Sequence, residues 1–224
     1  MSLPKPDKEA IKRIRKARNL WLDDDNLFDP VRDAVLIAIG DGSISRVSAD
    51  ALHWWLEANP RIAALYPNSA LMTALAKGLE PGQWTPEVEH DLLVFIGAFY
   101  LDTESIRDTA YDLLKNPPSL FGDLYSAMFG VQAEPLILTD HICALTGPFV
   151  GRTRRNCFEQ ILAAGGAPSG VSYYTDYLFV ADAHIQNRVL SSSMLEGIAQ
   201  QMRNGRIKIL SESQFPPPSA PLTV

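Results

Sequence analysis

The hydrophobic period of this 224-residue chain changes near residue 140, and that change limits its possible folds more than any other feature. Up to about residue 130 the apolar residues recur every three or four positions, the period of helices with one buried face. Val47, Ala51, Trp54/Trp55 and Ala58 step in this way, and so do Val88, Leu92, Phe95/Ile96 and Phe99. Both stripes are expected to lie in the core. Beyond residue 140 the apolar runs shorten. Ile142-Cys143-Ala144-Leu145, Tyr177-Leu178-Phe179-Val180 and Ile207-Lys208-Ile209-Leu210 read as strands, with a brief further segment near Ala167 to Val171. Helices fall between them: one over Thr153 to Ala164, stopped by Gly165-Gly166, and one ending at Asn204-Gly205. The order strand, helix, strand, strand, helix, strand calls for crossover connections, hence a small parallel sheet with helices against its faces. The expected fold class is α+β overall: an N-terminal all-α helical domain followed by a small α/β domain with a four-stranded parallel sheet. Its boundaries are placed at 1–130 for the helices, 131–138 for a linker, 139–215 for the α/β domain and 216–224 for a Pro-rich tail.

Local signals add detail. Asp41-Gly42-Ser43-Ile44-Ser45 and Pro81-Gly82-Gln83-Trp84-Thr85 are turns of similar build, offset by 40 residues and each followed by an apolar stripe. They read as a degenerate duplicated helix–turn–helix unit. Thr85-Pro86-Glu87 supplies an N-cap, a proline at the first helical position and an acid facing the helix dipole, so a helix is expected from there to about Tyr100. A calcium loop is excluded at Asp41-Gly42, because Ile37, Ile39 and Gly40 stand where oxygen ligands would be needed. Ser193-Met194-Leu195-Glu196 has the pattern of a capping box opening the second helix of the α/β domain.

Charge divides the chain as sharply as periodicity does. Residues 1–140 carry 13 Lys+Arg against 21 Asp+Glu, and residues 141–224 carry 7 against 5. Contact with a polyanion must therefore come from local basic patches. Two exist: Lys8 to Arg18, which otherwise reads as a solvated helix or arm, and Arg152, Arg154 and Arg155. The 46% hydrophobic content argues against wholesale disorder, no apolar run reaches the roughly 18 residues of a membrane span, and the basic start lacks an apolar signal core. A cytoplasmic location is expected, with no membrane partner. Cys143 and Cys157 are expected to be reduced packing residues.

Signatures of chemistry are sparse. Gly165 to Gly170 has the glycine spacing of a P-loop but is followed by Val171-Ser172 instead of Lys-Ser/Thr. His53, His90, His141 and His184 are scattered singly, and neither cysteine sits at a metal-binding spacing. No cofactor and no metal is expected, and no catalytic residue is assigned.

Four features in order resemble a known family. Thr146-Gly147 closes a first strand, Arg154 lies on a helix ending at Gly165-Gly166, Thr175-Asp176-Tyr177-Leu178 opens a later strand, and Ile207-Lys208-Ile209-Leu210-Ser211-Glu212 precedes Phe215. Over residues 139–215 these resemble a BRCT domain, closest in style to the one at the end of bacterial NAD-dependent DNA ligases. The resemblance implies a four-stranded parallel sheet and a role in binding proteins, phosphopeptides or DNA ends in repair and replication. It does not imply ligation, because no lysine sits in the Lys-x-Asp-Gly arrangement of nucleotide transfer. It further implies a phosphate or DNA site at Thr146, Gly147, Arg154 and Arg155. The family's pocket lysine falls on Met194, which supplies no charge, so weak phosphate affinity is expected unless Arg155, Arg152 or Arg188 substitutes, and a phosphopeptide partner is doubtful. The expectation is thus a non-enzymatic adaptor whose partner is a protein or a DNA end, with self-association as a further possibility. An enzyme with a site around His53, Trp54, Trp55, His90 and Asp91 is the rival from another class.

Overall fold

The structure, a computed structural model, describes residues 11–14, 28–101, 106–129 and 136–216. Lys8, Arg15, Lys16 and Arg18 of the first basic patch lie outside the described residues, as do most of the expected linker and the Pro-rich tail. The described chain is mixed α/β with a four-stranded, all-parallel sheet. It divides into a helical unit, Asn26–Met128 with Gln201–Gly205, and a sheet unit that takes Phe129–Gln200, the residues from Arg206 on and the helical turn at 11–14.

The helical unit begins with α1 (Asp29–Ala38), α2 (Arg46–Ala58), the single turn α3 (Pro60–Ala63) and α4 (Asn68–Leu79). It continues with α5 (Pro86–Ile96), a π-helical turn at Gly97–Leu101, α6 (Ile106–Lys115) and the short α7 (Leu124–Ala127). The two turns offset by 40 residues share their geometry. Gly42 and Gly82 take φ of 83° and 81°, the left-handed region that glycine enters without a Cβ penalty. Three residues later a hydroxyl caps each helix: Ser45 Oγ accepts from the Ser48 N–H at 3.1 Å, and Thr85 Oγ1 from the Val88 N–H at 3.3 Å. The α5 stripe packs inward, with Leu92, Phe95, Ile96 and Phe99 buried and Phe95 stacked on Phe121 at 4.1 Å.

The α2 stripe does not. Ala49, Leu52 and Leu56 are the buried residues of this helix, whereas Val47, Ala51, Trp54 and Ala58 lie on its exposed side. The reason is geometric: α2 packs against both α1 and α4, and these contacts engage the face centred on Leu52 and Leu56. A helix carrying two apolar stripes buries only the one its neighbours cover.

In the sheet unit, β1 (Ile142–Thr146), α8 (Arg154–Ala163), β2 (Ala167–Pro168), β3 (Tyr177–Val180), α9 (Asp182–Gln186), α10 (Ser192–Asn204) and β4 (Lys208–Ser211) follow in order, and a 3₁₀ turn, Glu212–Gln214, closes it. The strand order is β2-β1-β3-β4 with every pair parallel. Central β1 and β3 are buried along their whole length, which is why both read as unbroken apolar runs. Cys143, Leu145, Phe179 and Leu210 form one core with Cys157 and Ile161 of α8 and with Phe215. On α10, Gly197 brings the backbone close to Leu178 and Ile209: a Cβ there would stand 2.7 Å from Leu178 Cδ2.

The described part of the first basic patch is docked and not simply solvated. Ile14 is buried against Ile142 and Ala167, with Ile11 and Tyr174 beside them, while Lys12 and Arg13 stay exposed. The Arg13 guanidinium lies 3.7 Å from the Asp140 carboxylate. An isoleucine repeat at i, i+3 gives this turn one apolar edge, and the sheet unit covers it.

Candidate functional site

An open parallel sheet binds ligands outside the carboxyl ends of its strands, at the point where the strand order reverses direction. With order β2-β1-β3-β4 the chain moves from β1 to one side and then returns to β3 on the other, so the reversal falls between β1 and β3. The residues at those strand ends are Thr146-Gly147 and Ala181-Asp182.

Thr146 is 5% exposed, and its hydroxyl lies 2.9 Å from the Ser191 hydroxyl. Ser191 also accepts the Met194 N–H at 3.2 Å, which makes it the N-cap of the 13-residue α10. The sequence pattern points to Ser193 as the cap; the structure moves it two residues earlier. Glu196, expected to reach back and close the box, instead accepts from Gln200 Nε2 at 2.7 Å. Ser191 prevails because its hydroxyl is also held by Thr146, a contact between residues 45 positions apart that local patterning does not contain.

Gly147 has φ of 88°, and a Cβ on it would stand 2.7 Å from Ala181 Cβ and 2.8 Å from His184 Nδ1. Glycine is therefore required twice over, by the left-handed backbone and by the α9 imidazole packed against it. Arg154 arrives from the first turn of α8, whose N-cap Thr153 accepts the Asn156 N–H at 3.1 Å and whose hydroxyl also contacts Asn156 Oδ1. One N–H of its guanidinium donates to the Leu145 carbonyl at 2.7 Å, setting the group near the end of β1. Thr146, Gly147 and Arg154 thus converge on one strand end. Arg155 does not join them: one residue along the helix, it pairs with Glu159 at 2.8 Å on the exposed face of α8.

The expected substitutes for the missing lysine are largely engaged elsewhere. Arg152 donates to the Pro216 carbonyl at 2.8 Å and lies 5.4 Å above the Phe215 ring. Met194 is fully buried, so the position aligned with that lysine points into the core, and the surface at the start of α10 belongs to Ser191, Ser192 and Ser193. Arg188 sits in the loop before α10 with φ of 51°.

Sequence reasoning missed Glu212 as a determinant of this strand end. Its buried carboxylate accepts the Val150 N–H at 2.5 Å through one oxygen and the Asp182 N–H at 3.1 Å through the other, tying the loop after β1 to the loop after β3. The only sequence signal is an acid immediately after an apolar strand. Cys157 lies in the same region. Burial pushes its thiol above the usual range, the Arg152 guanidinium opposes this and the Glu212 carboxylate adds to it, so the group is a poor nucleophile at neutral pH.

The chain matches no family model, no curated protein and no solved structure.

The titratable and aromatic residues of the helical unit do not gather into one constellation. His53 lies 3.8 Å from Glu57 and lines one hollow, Trp54 and Trp55 line another, and Asp91 borders a third. Asp91 accepts the Leu120 N–H at 3.1 Å and the Ser119 hydroxyl at 3.2 Å, closing the loop before α7. Among the described residues no helix is long and apolar enough to cross a membrane.

Proposed function

We propose that this chain is a non-enzymatic binding protein of the adaptor type, whose sheet unit is a BRCT-like module acting in DNA repair or replication through a protein or a DNA end. The observation that supports this reading best is the pair of hydroxyls, Thr146 and Ser191, 2.9 Å apart at the N-terminus of α10 and beside left-handed Gly147. A helix N-terminus, flanking hydroxyl donors and a guanidinium are the elements that hold a phosphoryl oxygen. Residues 141–224 carry a small excess of cations over anions, so this part of the chain tolerates a polyanion where the acidic helical unit repels it. The favoured ligand at Thr146, Gly147 and Arg154 is the 5′-phosphate of a DNA end. Buried Met194 at the lysine position removes one charged phosphate contact, so weak affinity is expected for any phosphoryl ligand here, a phosphopeptide included.

The test is fluorescence anisotropy of the full chain with matched duplexes that differ only in the 5′-phosphate. Preference for the phosphorylated end is expected, lost in Thr146→Val and weakened in Arg154→Ala, with log K against log salt falling at a slope of about −1 to −2 for one or two neutralised phosphates. Equal, negligible binding of both duplexes would sink the DNA-end reading and leave the strand end as a structural turn in a protein-binding module.

A further inference from the structure

The exposed stripe of α2 faces α1 across an apolar groove of about 700 Å³. Pro30, Ala34 and Ile37 line it from α1, and Val47, Ala51 and Trp54 from α2. Ile37, Val47 and Trp54 are 82%, 81% and 68% exposed. Single apolar residues on a surface need no explanation, but three on the walls of one groove mark an interaction site. The stripe repeats at helical spacing along α2, so the sequence invests in an apolar face that this chain's described residues leave uncovered.

Charge identifies the occupant. Residues 26–128 contain 6 Lys+Arg against 14 Asp+Glu. Asp33 lines the groove between Pro30 and Ile37, and Asp50 stands on α2 between Val47 and Trp54, at helical spacing from both. Among the described residues neither carboxylate has a hydrogen-bond or ion-pair partner. The cations nearest to them in sequence are committed: Arg46 donates to the Leu79 carbonyl at 3.1 Å, and Arg32 donates to the Met202 carbonyl at 2.7 Å and lies 3.7 Å from Asp29. The groove therefore has an apolar floor, the unpaired acid Asp33 on its α1 wall and a second unpaired acid, Asp50, on the exposed surface of α2 beside its lining residues. A second copy of the same unit would set acid against acid, which disfavours self-association through this face. A nucleic acid would meet the same repulsion and find no use for the apolar floor.

We propose that the α1/α2 groove is the docking site for a cationic amphipathic helix of a partner protein, which lays its apolar face along Ile37, Val47 and Trp54 and pairs lysine or arginine with Asp33 and Asp50. Two packed helices present the kind of furrow that seats a third, with anchors at i, i+3, i+4 and i+7 of the incoming segment. Trp54 is the central anchor, because a large rigid ring buried on binding carries most of the energy in such interfaces. The site is separate from the strand end of the sheet unit, and neither reading depends on the other.

The probe is a fluorescently labelled amphipathic peptide of leucine and lysine, about 18 residues long with leucine at helical spacing. It is titrated with the full chain and followed by anisotropy at low and moderate salt. The comparison peptides are a scrambled sequence of the same composition and a leucine–glutamate version. Tight binding of the leucine–lysine helix alone is expected. Ile37→Ser with Trp54→Ala should raise its Kd about tenfold or more, since both side chains are exposed and far-UV circular dichroism and melting should stay at parent values. Asp33→Asn with Asp50→Asn should weaken it about threefold and flatten the salt dependence. Equal binding of the scrambled or the glutamate peptide, or variants that bind like the parent, would overturn the proposal. So would a dimer in light scattering that Ile37→Ser with Trp54→Ala dissociates, because the groove would then belong to a second copy.

Discussion

Two tyrosines in the helical unit show how one hydroxyl can stabilise a fold while another, equally buried, contributes nothing. Tyr100 donates to Asn68 Oδ1 at 2.7 Å, and Asn68 Nδ2 donates to the Ile62 carbonyl at 2.9 Å, so a fully buried amide has both ends satisfied. Among the described residues the Tyr66 hydroxyl is buried without a hydrogen-bond partner, its ring edge-on to Phe99 at 5.8 Å. Removing a partnered hydroxyl leaves an acceptor stranded, whereas removing an unpartnered one abolishes a desolvation cost. Tyr100→Phe is therefore expected to lower stability by about 1–2 kcal/mol and Tyr66→Phe to leave it unchanged or raise it, as read from urea melts. Burial holds the pKa of both phenols above their ordinary value of 10.0. Below pH 10 both the folded and unfolded chains keep these protons, so the stability is present in full. Above it the unfolded chain releases them and the folded chain does not, so stability falls at up to about 1.4 kcal/mol per pH unit for each tyrosine. Melts at pH 8, 9.5 and 11 test this, and Tyr66→Phe should remove part of the alkaline loss; a midpoint unchanged to pH 11 would contradict it.

At the scale of elements, hydroxyl caps written in the sequence start several helices, and their legibility depends on how local they are. Ser45 and Thr85 cap α2 and α5 within three residues of their own positions, and both are readable from the repeated turn. Ser191 caps α10 while bonded to Thr146, and only the fold brings those two together. Alanine at Ser45 or Thr85 is expected to cost about 1 kcal/mol each, nearly additively because the two caps share no partner. Ser191→Ala should cost more, since it also strips a partner from the buried Thr146 hydroxyl. Chemical denaturation of the three single variants and the Ser45→Ala, Thr85→Ala pair would show this, and a Ser191→Ala cost no larger than the other two would contradict it. The same contrast governs the apolar stripes. The α5 stripe is core as its spacing suggests, while the α2 stripe lies outside because α1 and α4 cover the opposite face.

For the whole molecule, the decisive feature is the separation of acidic helices from a sheet unit that carries the hydroxyls and the arginine of the candidate anion site. The turn at 11–14 belongs with the sheet although more than a hundred residues of helices intervene in sequence. Ile14 is packed against Ile142 and Ala167 of β1 and β2, so Ile14→Ala is expected to destabilise the sheet unit by about 2–4 kcal/mol, the cost of a buried isoleucine cavity. Hydrogen exchange resolved by peptide would place the loss in β1 and β2; protection that falls only in the helices would contradict this packing.

The sequence alone determined the two structural classes along the chain, the parallel sense of the sheet, the duplicated turns and the position of Thr146-Gly147 at a strand end. The parallel sense follows from the order of strands and helices, and the rest from interactions within a few residues: hydrophobic period, glycine backbone freedom and caps that bond their own helix. Only the tertiary structure decided that the Val47 to Ala58 stripe is a surface, that Ser191 and not Ser193 caps α10, and that Glu212 ties two loops together. Each of these depends on which distant neighbour the fold brings to a face or a donor. Periodicity states that a face is apolar but not which partner covers it, and a carboxylate in a sequence does not show which distant amide it will accept.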